Sequence, residues 1–216
     1  MSRNGTFFLS VVERDRLMPS VWDPDSYRAT TARQSLGEYA AVTEVRRSGH
    51  RGVSTPFRAT EYRDISHRAS HLTFVLEPRA KGSRAKWPAV AEQSLLFGTM
   101  RAYLGNVIVT PAAGWLGVKG PLYFPVKSEF VSVTPNDDCL YFWWAYLRSR
   151  RFLENLPLGT GGTRPRLAPS TLRGTEVAVP DYQVRRETHR ALAALAEREW
   201  VACVEREMVL RRLDEG

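Results

Sequence analysis

The chain has 216 residues, 43% of them hydrophobic and 11% aromatic, enough apolar material for one well-packed core in one domain. Its net charge of +8 and pI near 9.9 favour anionic partners, nucleic acid before an acidic membrane surface. No apolar run approaches the roughly 20 residues of a membrane span and no secretory pattern opens the chain, so the expectation is a cytoplasmic protein with no membrane association.

In chain order, the apolar run "FFLSVV" at 7–12 predicts a strand, and Pro19 and Pro24 forbid a long helix after it. "SLGEYAAVTEV" at 35–45 predicts a strand, or a short helix and a strand. "SGHRGVSTPFR" is a loop. "SHLTFVLEP" at 70–78 predicts a strand with Leu72, Phe74 and Leu76 on one face. After the basic loop "RAKGSRAKWP", "SLLFGTMRAYLGNVIVTP" predicts two strands, 95–97 and 107–110, joined by a loop holding Gly98 and Gly105. "GPLYFPVKSEFVSVTP" adds strand. "NDDCLYFWWAYLRSRRFLENL" reads as a helix with an Asn/Asp start and arginines near its end, where cations suit the dipole. Of the adjacent Trp143 and Trp144, one is expected in the core and the other toward a partner or groove. "NLPLGTGGTRPRLAPST" is a stiff, basic loop, "GTEVAVP" a strand, and 183–213 a helix about 45 Å long. Many short strands, few helices and no β-α-β alternation predict an α+β fold: an irregular mixed-strand globule with a long C-terminal helix.

The missing chemistry narrows the function. "GTGGT" lacks the lysine of a phosphate-binding loop, and "DPDSY" lacks the second proline of an adenine methyltransferase motif. Pro180-Asp181 has no Glu-x-Lys partner of a metal-dependent nuclease. His67 and His71 have the i, i+4 spacing of a zinc pair, but a loop entering a strand is the better reading, so no metal ligand is expected. Cys139 and Cys203 read as buried, reduced thiols. The chain is expected to be no enzyme on its own, with no cofactor of its own; a nuclease or transferase with an unrecognised active site is the alternative.

Charge is concentrated. Residues 44–86 hold ten Arg and Lys against four Asp and Glu, whereas 183–215 hold seven of each. Phosphate contacts supply affinity and register, and base-edge contacts supply sequence choice. The candidate DNA contacts are Arg46, Arg47, His50 and Arg51 in one basic loop and Arg79, Lys81, Arg84 and Lys86 in another. Lys119 lies in the glycine-flanked "GWLGVKG", and Arg164 and Arg166 in the Gly-Thr loop. Trp87 and Tyr62 are candidates for stacking or apolar contact. On the last helix, Val184, Ala191, Leu192, Leu195, Val201, Val204 and Met208 form a loosely heptad-like stripe that needs a partner.

Several stretches resemble target recognition domains of type I restriction–modification specificity subunits: "SLGEYAAV", "AEQSLLFGTMRAYLGNVIVTP", "CLYFWWAYLRSRRFLENL" and, most specifically, "LPLGTGGTRPRLAPSTLRGTEVAVPDYQVRRETHRAL". The resemblance covers about residues 35–213 and one recognition domain, where the family has two per chain. It implies residues 1–182 as a DNA target recognition domain, with 1–34 as a lead-in, and 183–216 as a dimerisation and partner-docking helix. It further implies sequence-specific binding of double-stranded DNA for a restriction or phage-defence system. The expected partners are a DNA methyltransferase (modification) subunit that uses S-adenosylmethionine, a nuclease subunit, and a second copy paired through the helix. A protein-binding adaptor on the same fold is the other alternative.

Overall fold

The computed structural model describes residues 34–45, 56–66, 71–79, 87–157 and 159–214. The strand expected at 7–12 and the lead-in to residue 33 lie outside them.

The described chain opens with strand β1 (Gln34–Ser35), helix α1 (Leu36–Tyr39) and strand β2 (Ala40–Glu44), the helix-plus-strand form of the two readings. Ser35 and Glu38 make the helix start: the Ser35 N–H donates to Glu38 Oε1 at 2.8 Å. Strands β3 (Ala89–Ala91), β4 (Leu95–Gly98) and β5 (Val107–Val109) follow, then β6 (Tyr123–Pro125), β7 (Phe130–Pro135) and, late in the chain, β8 (Glu176–Val177). The central sheet is antiparallel with the order β2-β7-β4-β5, and β1-β8 and β3-β6 are separate pairs.

Strand β4 is buried along its whole length because both faces of the sheet are covered. Leu95 and Phe97, with Val107, Val109, Val131 and Val133, face helix α2 (Leu140–Arg148). Leu96, Ile108 and Phe130 point the other way, to Ile65, Phe74, Val126 and Trp200. The period of two in "LLF" and "FVSV" thus divides one sheet between two cores. The segment 71–79 alternates as expected, with Leu72 and Phe74 buried and Leu76 half-buried, but it joins its neighbours through isolated bridges, Ile65 to Phe74 and Phe57 to Pro78, and forms no ladder.

Helix α2 is enclosed nearly all round. Trp143 and Trp144 are both in the core, so the expected outward tryptophan is absent. Each indole N–H finds an acceptor: Trp143 donates to Asp137 Oδ1 at 3.0 Å and Trp144 to the Val107 carbonyl at 3.1 Å. The single helix expected over 136–156 breaks at Ser149, whose Oγ accepts the Phe152 N–H at 3.2 Å and starts α3 (Arg150–Glu154). A further helix, α4 (Pro169–Arg173), lies where the sequence reads as loop; its proline occupies the first turn, where no N–H is needed.

Helix α5 (Tyr182–Asp214) has 33 residues, about 50 Å. Asp181 Oδ1 accepts the Val184 N–H at 3.1 Å at its start. Leu192 and Leu195, expected on a partner-facing stripe, instead pack with Ala196 on the main core of this chain. Apolar residues spaced three and four apart satisfy a core face and a partner face equally, so their pattern does not choose between them. Val184 and Val204 are half-buried, and Ala191, Val201 and Met208 are exposed. Past Val204 every described side chain is exposed, including Val209 and Leu213. No helix among the described residues is long and apolar enough to cross a membrane.

Candidate nucleic-acid interface

Seven of the expected DNA contacts, Arg46, Arg47, His50, Arg51, Lys81, Arg84 and Lys86, lie outside the described residues. What the structure gives is the framework from which their two segments leave. Residue 56 follows the first segment and residue 79 precedes the second, and the two are paired: the Arg79 N–H donates to the Pro56 carbonyl at 2.8 Å, and the Arg58 N–H to Glu77 at 3.0 Å. The other two flanks are near by. Val45, Leu76 and Val90 pack on the same cluster as Val126 and Phe130. Trp87 lies under the Lys127 ammonium, 4.0 Å from the ring centroid. The Thr60 N–H donates to Pro125 and the Val126 N–H to Pro88. The fold therefore gathers the flanks of both basic segments around β3, β6 and the turn after β6.

Charge pairing fixes this framework. Arg58 reaches Asp64 at 2.6 Å and Glu77 at 2.5 Å. The shared carboxylates hold its guanidinium above the usual range, and Arg58 holds the Glu77 carboxyl below its own. Arg58 is thus committed to the scaffold through its side chain, whereas the Arg79 bond to Pro56 is made by its backbone alone. Lys119 is exposed, between Gly117 and Gly120, both left-handed (φ +67° and +88°). The preceding Val118 packs on the cluster that holds Phe57 and Phe124, which places Lys119 beside the same framework.

Arg164 and Arg166 belong to a second group of loops. The Thr160 and Arg166 backbones exchange two hydrogen bonds, 2.9 and 2.8 Å, closing a small hairpin. Gly159 is required there, because a Cβ would meet the Arg166 carbonyl oxygen at 2.8 Å. The hairpin adds to the chain after β4: the Arg101 N–H donates to Pro165 at 2.8 Å and the Leu167 N–H to Thr99 at 3.0 Å. It rests there and not at the base of α5. Arg164 and Arg166 are exposed, the latter 4.0 Å from Glu129.

The two groups meet at the turn before β7. The Glu129 carbonyl accepts from Thr99 Oγ1 at 2.8 Å and from the Tyr62 hydroxyl at 3.0 Å, and that hydroxyl accepts the Met100 N–H at 3.0 Å. Tyr62 also stands edge-on to Phe130, and burial pushes its phenol well above the usual range. It is a strut between loops and is not free to stack on a base. The sequence reading missed Lys127, which lies over Trp87 and pairs with Glu61 at 3.3 Å, and Arg101, exposed on the loop that holds the hairpin. The glycines bracketing "MRAYLG" were the available signal for Arg101.

Arg148 links the framework to the core. It donates to the His71 and Ser66 carbonyls at 3.2 and 3.1 Å and lies 4.7 Å from the Trp144 ring centroid. Burial draws its pKa down to about 10, so it stays charged at neutral pH. Burial also pushes the Cys139 thiol up to about 11, which leaves it an unreactive core residue. Of the two histidines considered as a zinc pair, His67 is outside the described residues. No group of three or more His, Cys, Asp or Glu that could hold a metal occurs among the described residues.

No family model matches the chain, and no curated protein matches it. Solved structures similar to it include two that cover most of the chain. The HsdS subunit from Thermoanaerobacter tengcongensis is 14% identical with a TM-score of 0.45, the match covering 82% of this chain and 39% of that one. A chain from the structural work on complex assembly and conformational transition of the type I R-M system is 15% identical with a TM-score of 0.45, covering 83% and 42%. The chain thus spans about two-fifths of the length of each.

Proposed function

We propose that this chain reads duplex DNA sequence without itself performing chemistry, and that it delivers the bound site to a partner methyltransferase, nuclease or both. The observation that carries this is the convergence around β6: the flanks of both basic segments, Lys127 and Lys119 adjoin one another, and the Arg164–Arg166 hairpin meets them through Glu129 and Tyr62. Exposed cations held close to one rigid framework, Lys119, Arg164 and Arg166 among them, suit the closely spaced phosphates of a duplex. Loops carried on such a framework are the usual place for base-reading side chains. The exposed end of α5, with Met208, Val209 and Leu213, suits docking of the partner or of a second copy. Any S-adenosylmethionine would be held by that partner.

The test is selection of bound duplexes from a random pool, followed by affinity measurements across salt concentrations. The expected result is an enriched sequence with an affinity that falls steeply with salt. A pool that stays uniform, with affinity independent of salt, overturns the reading in favour of a protein-binding adaptor.

A further inference from the structure

The turn Ala102–Leu104 holds two large apolar side chains in solvent, for which packing gives no reason. Tyr103 is 56% and Leu104 43% exposed, while Ala102 beside them is part of the main core. The turn is held from both ends. Arg101 and Gly105 adopt left-handed backbone, φ +49° and +63°. The Leu104 and Gly105 N–H groups donate to the Arg101 and Ala102 carbonyls at 2.9 and 3.0 Å. Gly105 lies against α3, where a Cβ would stand 3.0 Å from Leu153. Arg101 is the most informative residue. Glycine and asparagine adopt left-handed backbone at less cost than arginine. Strain held on an exposed loop points to use of the side chain. The Arg101 guanidinium is exposed and donates to the Thr163 carbonyl at 3.2 Å, in the hairpin that carries Arg164 and Arg166.

We propose that Tyr103 and Leu104 form a base-reading finger with Arg101 as its phosphate anchor, an inference that rests on the DNA function above. Arg101, Arg164 and Arg166 sit on phosphates. Tyr103 and Leu104 enter the major groove, about 12 Å wide, and pack on thymine C5-methyl groups, the apolar feature that base edges present there. The charge of the rim selects a polyanion, and the rigidity of the tip lets it discriminate without an ordering cost on binding.

The test repeats duplex selection and salt-dependent titration with Arg101→Gly and with a Tyr103→Ser/Leu104→Ser double variant. The selected duplex is also made with deoxyuridine, which lacks the methyl group, in place of thymidine. All three side chains are exposed, and glycine relieves the backbone at 101, so thermal unfolding at or above the wild-type temperature is expected for Arg101→Gly and near it for the double variant. Arg101→Gly weakens binding to every duplex alike and lowers the slope of log affinity against log salt by about 1. The double variant keeps the wild-type slope and loses about ten-fold discrimination at one or two thymine positions. Deoxyuridine there reproduces that loss for the wild type and adds nothing for the double variant. Unchanged discrimination by the double variant overturns the finger and leaves the DNA function standing, as does an effect confined to binding of a partner protein. A wild type with no salt-dependent affinity for any duplex overturns both.

Discussion

A left-handed backbone costs a non-glycine residue about 1–2 kcal/mol, and among the described residues Gln93, Arg101 and Asp138 carry it. A half-buried titratable side chain is another local cost, and His189 shows it. Burial draws its imidazole below the ordinary range, while Asp137 and Asp138 oppose the shift and Arg190 adds to it. Its Nδ1 accepts the Tyr141 N–H at 3.1 Å, so the folded chain needs the neutral ring. An unfolded histidine takes up its proton near pH 6.5, whereas the folded one does so only at lower pH. The unfolded state therefore binds more protons in that window, and the contribution, complete above about 6.5, is lost as pH falls through it. The Tm difference between wild type and His189→Asn should shift in favour of the variant between pH 7.5 and 5.5; a difference that is flat with pH would contradict this. Glu199 has the opposite sign. Burial raises its carboxyl although it accepts the Leu72 N–H at 3.1 Å. Its protonated form, stable at low pH, is lost as pH rises through the folded value.

At the scale of elements, legibility followed how many environments a pattern permits. Helix α5 was readable because a long helical period admits few structures, whereas the alternation at 35–45 fitted both a strand alone and the α1–β2 unit that forms, which the Ser35–Glu38 cap selects. Helix α4 was hidden by a loop-like composition, Pro and Gly at its two ends, since those residues delimit a short helix as readily as they punctuate a turn. The break at Ser149 was hidden because Ser149 is also compatible with a helix interior. The outward Trp was misjudged because a helix enclosed on all sides has no exposed face for the pattern to report. Helix α5 then separates two kinds of apolar residue. Leu195→Asp puts a carboxylate against the core and should lower stability by about 3 kcal/mol, seen as a shifted denaturation midpoint. Met208→Asp, 49% exposed, should leave that midpoint in place. If the exposed end mediates self-association, light scattering will show Met208→Asp shifting the mass; an unchanged mass excludes that end from the contact.

On the scale of the whole molecule, the α+β class followed from strand and helix counts, while the interface was only half legible. Basic composition showed which segments to examine, but not that β3, β6 and the Pro56–Arg79 pairing bring their flanks together, because that proximity depends on contacts between residues far apart in sequence. Nor did composition reveal Arg101, whose exposed side chain leaves a left-handed backbone beside the Arg164–Arg166 hairpin. The convergence has a quantitative consequence for binding. Glutamine at Arg46, Arg47 and Arg51, and separately at Lys81, Arg84 and Lys86, should each reduce the salt slope, and the joined set should reduce it by at least the sum. A slope altered by one set alone would assign the duplex to one segment.

The paired stems at Pro56 and Arg79 have a further implication. Because the described residues flanking each basic segment are already held by the sheet neighbourhood, the segment's own residues can be rewritten, lengthened or shortened at small cost to those flanks, as the weak dependence of closure entropy on loop length allows. On the proposed function, target preference and folding are then separately adjustable, and a population of such chains could diversify what it recognises faster than it drifts in shape.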